Sequence, residues 1–137
     1  MPWKQLQMVF RLGLTFTETG GESLIAQARP VGVEYLFTNP GSSKVAIFDA
    51  LVDDPQIHLI EGLHEGVVIS MADGYHKVSQ KPAFVNVNDI AGTEQMAGQL
   101  FNCSTGGSAI VVTAGQRQRS FQTKRLVFSG FVVSIKP

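Results

Sequence analysis

His64 and Glu65 are neighbouring side chains able to move protons, and they invite comparison with a zinc-protease helix. That chemistry needs a second histidine four residues after the first, so that two imidazoles on one helical face grip the metal. Val68 occupies the position, and no metal site is expected here. Phosphate chemistry fares no better: Gly41 and the Gly106-Gly107 pair lack both G-x-G-x-x-G and G-K-[ST]. A nucleophile elbow is also missing, since no G-x-S-x-G occurs. What remains is four polar clusters, Asn39 to Ser42, Glu61 to Glu65, Asn86 to Gly92 and Gly115-Gln116, each following a short apolar run.

Those runs are the elements that must position the clusters. Glu34–Phe37, Ile57–Ile60, Ala83–Val87 and Ala109–Thr113 read as strands, the last with the β-branched content of a sheet buried on both faces. Helical stretches alternate with them: Ser23–Ala28, Ser43–Val52 ended by Asp53-Asp54-Pro55, Leu63–Val78 and Thr93–Asn102. In Leu63–Val78 the spacing places Val67, Val68, Met71, Ala72, Tyr75 and Val78 on one apolar face. Alternating β and α units predict an α/β fold, a three-layer domain with a mainly parallel sheet flanked by helices. In such sheets ligands bind beyond the carboxyl ends of the strands, where the four polar clusters fall.

Composition fits this reading. The 137 residues are 44% hydrophobic and 16% charged, which excludes wholesale disorder and suits one domain. Eleven basic residues balance eleven acidic ones, so net charge steers the chain to neither nucleic acid nor an anionic membrane. All eleven acids lie at or before Glu94, leaving the end of the chain basic. Cys103 stands alone, ruling out a disulfide framework, and Arg11 interrupts the apolar start before a signal core forms. The expectation is a cytoplasmic protein. After Gln116 the helix period is lost, and LVFSGFVVSI reads as an extra strand or an exposed adhesive end.

Four segments, GVEYLFTNPGSS, LIEGLHEGVVISMADGYHK, KPAFVNVNDIAG and AIVVTAGQ, resemble in order and spacing the N-terminal pyrimidine-binding domain of thiamine diphosphate enzymes. The nearest groups are benzoylformate decarboxylase and acetolactate synthase. The resemblance implies a leader over residues 1–19, the domain over 20–121 and an atypical tail over 122–137. It makes Glu65 the catalytic carboxyl that meets the cofactor's aminopyrimidine ring and promotes ylid formation. Gly41 and Gln95 join it as cofactor-binding residues, and Ser42 and Asn88 become substrate-binding positions.

Two departures stand out. Asn88 falls where benzoylformate decarboxylase carries a histidine, and an amide cannot exchange protons near neutral pH. Gln95 replaces an asparagine found in many relatives and reaches about one methylene further. The family binds the diphosphate and Mg²⁺ through a separate domain whose G-D-G motif this sequence lacks. The implied partners are a small 2-oxo acid and either a second copy or a chain carrying the diphosphate-binding domain. The alternative is a non-catalytic remnant or self-association module.

Overall fold

The computed structural model describes residues 19–52, 54–115 and 132–135; the expectations for residues 1–18, Asp53, Gln116 and the rest of the tail fall outside them. Five strands form one sheet in the order β2-β1-β3-β4-β5. They are β1 (Tyr35–Thr38), β2 (His58–Glu61), β3 (Ala83–Asn88), β4 (Ile110–Gly115) and β5 (Val132–Ile135). The first four run parallel, and β5 pairs antiparallel with β4, so part of the apolar tail forms an edge strand.

Among the described residues four α-helices complete the three layers: α1 (Gly20–Ala28), α2 (Val45–Val52), α3 (Glu65–Ser79) and α4 (Asp89–Thr105). On one face Ile25 and Ala28 of α1, with the flank of α2, pack against Leu36, Ile57 and Phe84. On the other, Val68, Ile69 and Ala72 of α3 and Met96 and Cys103 of α4 cover Phe37, Val85, Val87, Ile110 and Val112. Each such fully buried aliphatic side chain contributes about 1.5–3 kcal/mol. Successive residues of a strand point to opposite faces: β3 is buried on both, whereas β4 buries Ile110 and Val112 on one face and leaves Val111 and Thr113 half-buried on the other, short of the two-sided burial its β-branched run suggests.

The helix starts show local chemistry overriding apolar spacing. α1 begins three residues before Ser23, because Thr19 and Glu22 form a reciprocal capping box. Gly21 permits its close approach to α2: a Cβ there would lie 2.0 Å from the Ala46 carbonyl oxygen. α4 begins at Asp89 rather than Thr93, turning directly off β3 with Asp89 at φ 37°. α3 is capped by His64, whose Nδ1 accepts from the Gly66 amide at 3.1 Å. Its buried face is Glu65, Val68, Ile69 and Ala72, whereas Val67 and Val78, expected on the apolar face, are exposed.

The topology fixes where a ligand can enter. β2 lies on one side of β1 and β3 on the other, with α2 and α3 on opposite faces of the sheet. The chain therefore leaves β1 in one direction and returns to its other side, and the carboxyl ends of β1 and β3 flank a switch point.

Candidate functional site

Asn39 follows β1 directly and is buried at this switch point. Its Nδ2 donates to Glu65 Oε1 at 2.8 Å. Glu65, the first residue of α3, is only 7% exposed, so a carboxyl that a helix's first turn would normally hold in water is instead enclosed. Among the described residues no hydrogen bond reaches its other oxygen, Oε2. Gly92 of α4 forms the wall beside it: a Cβ there would stand 3.1 Å from Oε1 and 3.0 Å from the Val87 Cβ. Any larger residue at 92 would press on the carboxyl.

Asn88, at the end of β3, reaches across to the loop after β1. Its Oδ1 accepts from the Ser43 hydroxyl, and its Nδ2 lies 3.5 Å from the Pro40 carbonyl oxygen. Gly41 makes room for this bridge, since a Cβ there would fall 1.9 Å from Asn88 Nδ2. The backbone of Gly41 is extended (φ 174°), so the constraint is contact rather than strain. Ser42 stands exposed in the short turn Ser42–Lys44, and its neighbour Ser43 supplies the hydroxyl that meets Asn88. Gln95 is exposed on α4 and lines a shallow groove of about 600 Å³ with His64, Gly66, Val67, Ser70 and Met71. The structure thus brings Gly41 and Asn88 together beside Glu65's partner Asn39, and sets Ser42 and Gln95 on the surface.

Lys44 escapes a reading based on sequence, because a lysine at a helix start is ordinarily solvated. Here it is 1% exposed. Its Nζ donates to Thr38 Oγ1 at 2.9 Å, to Asn39 Oδ1 at 2.7 Å and to the Asn39 carbonyl, with the Asn86 carbonyl at 3.5 Å. Burial pulls its ammonium down from 10.5 to about 8, while the negative charges of Glu65 and Glu61 oppose that shift. Because the folded-state value lies below the unfolded one, the unfolded chain binds more protons between pH 8 and 10.5, and stability must rise with pH across that window. Urea denaturation should therefore show the wild-type chain gaining up to ~3 kcal/mol on Lys44→Met over this range. A constant difference between the two would place the ammonium in water.

Among the described residues no group of three or more His, Cys, Asp or Glu side chains could hold a metal ion, and no helix is long and apolar enough to cross a membrane. In a mainly parallel α/β sheet ligands bind at such a switch point, and here an enclosed carboxyl stands at it. Residues 18–131 match the family model for the thiamine pyrophosphate enzyme N-terminal TPP binding domain, and the chain belongs to that family. The benzoylformate decarboxylase of Pseudomonas aeruginosa is 43% identical over 89 residues, which is 65% of this chain and 16% of that protein. The acetolactate synthase of Bacillus subtilis is 33% identical over 107 residues, 77% of this chain and 18% of that protein. The thiamine diphosphate-dependent 4-hydroxybenzoylformate decarboxylase of Rhodococcus jostii RHA1 superposes with a TM-score of 0.67 at 34% identity, over 74% of this chain and 19% of that one. The chain thus spans less than a fifth of the length of each of these relatives.

Proposed function

We propose that this chain supplies the pyrimidine-binding part of a thiamine diphosphate-dependent 2-oxo acid decarboxylase or acetolactate synthase-like enzyme, with Glu65 as the carboxyl that meets the aminopyrimidine. The observation that carries this reading is the enclosed Glu65, with Oε1 held by Asn39 and its flank kept open by Gly92. An aminopyrimidine fits such a site: it is planar and uncharged, and its ring nitrogens need a hydrogen-bonding group that can hold a proton. Thiamine diphosphate, when bound, supplies the carbon nucleophile and electron sink for 2-oxo acid chemistry.

The chain's own contribution is proton placement. Asn39 Nδ2 can only donate, so a proton on neutral Glu65 is excluded from Oε1 and resides on Oε2. Gly41 lets the loop after β1 close on Asn88, and this bridge is the surface offered to a substrate. Gln95 and Ser42 stand at the rim, where their polar groups are free to meet a ligand. The Mg²⁺-diphosphate end and the second half of the reaction site come from another domain or another copy, so a homo-oligomer or a complementary chain completes the enzyme.

Titrating thiamine into the ¹⁵N-labelled full chain tests the reading. Amide shifts are expected at Glu65, Gly92 and Gly41 and elsewhere in the 39–43 loop. A spectrum unchanged at millimolar thiamine would favour a non-catalytic, self-associating remnant.

A further inference from the structure

Lys44 differs from the other described lysines in its partners. Ion pairs among the described residues join Arg29 to Asp54, Lys77 to Asp73 and Lys81 to Glu34, and in each pair the basic side chain is substantially exposed. Lys44 is enclosed, and the atoms within its hydrogen-bonding reach are oxygens of Thr38, Asn39 and Asn86 rather than a carboxylate. Burying an ammonium without an ion pair is costly, and it survives only where several acceptors replace its water. The acceptors converge from β1 and β3, on the two sides of the switch point.

An asparagine side chain has two faces of opposite character, a donor and an acceptor, and ordinarily either can be turned toward a neighbour. Lys44 Nζ is donor-only, so the atom of Asn39 it meets at 2.7 Å has to be Oδ1. Nδ2 then faces Glu65 Oε1, at 2.8 Å. Reversing the amide would set its NH₂ against an ammonium on one side and its oxygen against a carboxylate on the other. Both contacts would become repulsive.

We propose that Lys44 is a positioning residue: it fixes the orientation of the Asn39 amide whichever charge state Glu65 holds, so that Nδ2 stays on Oε1 and Oε2 is the oxygen left open to a proton. The inference deepens the functional reading above and rests on it for its catalytic meaning, but the relay itself stands on geometry. Without the ammonium, Asn39 could turn its oxygen toward a protonated Glu65 and accept from Oε1, and the acid would lose its preference for one oxygen. Thr38 reinforces the arrangement, since its hydroxyl donates to the Asn86 carbonyl at 2.8 Å and leaves its lone pairs to Lys44.

The test uses the full chain labelled with ¹⁵N and ¹³C. In the wild type, weak scalar couplings are expected across both hydrogen bonds, from Lys44 Nζ to Asn39 Cγ and from Asn39 Nδ2 to Glu65 Cδ. Absence of either coupling overturns the relay, and this arm needs no variant to fold. In Lys44→Met, with the backbone amide pattern of β1 and β3 retained, the Asn39 side-chain NH₂ should exchange with solvent at least tenfold faster. An unchanged exchange rate in that folded variant would show that Asn39 holds its orientation unaided, and would overturn the proposal. A wild-type chain that shows both couplings yet ignores thiamine sinks the functional reading and leaves the relay standing, so the two failures are distinguishable.

Discussion

Glu65→Gln is expected to slow exchange of the thiazolium C2 proton of bound thiamine diphosphate by ~10²–10⁴, the usual worth of a positioned acid–base group. The protein for this measurement is Pseudomonas aeruginosa benzoylformate decarboxylase with its aligned segment replaced by that of this chain, compared at equal cofactor occupancy. The size of the effect follows from the hydrogen bonding. Asn39 Nδ2 donates toward position 65, so a glutamine there must turn its oxygen to Asn39 and present its NH₂ where Oε2 stood. An NH₂ can neither hold nor accept a transferable proton. Stability should change by only about 1 kcal/mol, since one hydrogen bond of the same geometry is kept. Were Glu65 merely a charge in the first turn of α3, the same substitution would cost at most ~1 kcal/mol of folding free energy and leave exchange intact. Equal exchange rates would remove Glu65 from the chemistry.

The family was legible in the sequence because Glu65 and its neighbours form strings of residue types whose order and spacing are distinctive. The strands were legible for a simpler reason: β3 is buried on both faces and β4 wholly on one and partly on the other, so their apolar runs have little polar alternation to confuse them. The rotation of α3 was not. Val67 and Val78 look like core residues in a count of apolar spacing, but the helix turns to enclose Glu65, which brings Ile69 inward and leaves those valines in solvent. Val68, Met71, Ala72 and Tyr75 keep the expected side toward the core, so the shift is confined to which of their neighbours join them. The roles of Lys44 and Asn39 were hidden for a different reason. Lys44 is enclosed by acceptors five to forty-two residues away in sequence, which meet only when β1 and β3 pair. Ser43 carries the hydroxyl that meets Asn88, a contact that spacing alone does not reveal, because the turn from Ser42 to Lys44 leaves Ser42 exposed.

The full 137-residue chain should bind thiamine and thiamine diphosphate with affinities within about threefold of each other, whereas the hybrid enzyme should prefer the diphosphate by at least ~10³, or about 4 kcal/mol. The charges described around the switch point explain the first half. Glu61 and Glu65 bear on Lys44, and Asp89 opens α4 directly after Asn88. Among the described residues Lys44 is the lysine or arginine at this edge, and its ammonium is enclosed and already committed to Thr38 and Asn39. A diphosphate arriving here meets carboxylates and gains no charge-assisted hydrogen bond from Lys44, so its added charge brings no affinity. The uncharged pyrimidine, by contrast, needs only the Asn39–Glu65 pair and the space beside Gly92. Calorimetric titration of the two ligands, with and without Mg²⁺, reads the ratio directly. A Mg²⁺-dependent preference for the diphosphate of a hundredfold or more in the chain alone would overturn the division of labour, since the anion would then be held by this chain's own residues. A ratio near unity that rises to ~10³ only in the hybrid would locate the anion's contacts outside the chain and leave recognition of the ring, through Glu65, as its contribution.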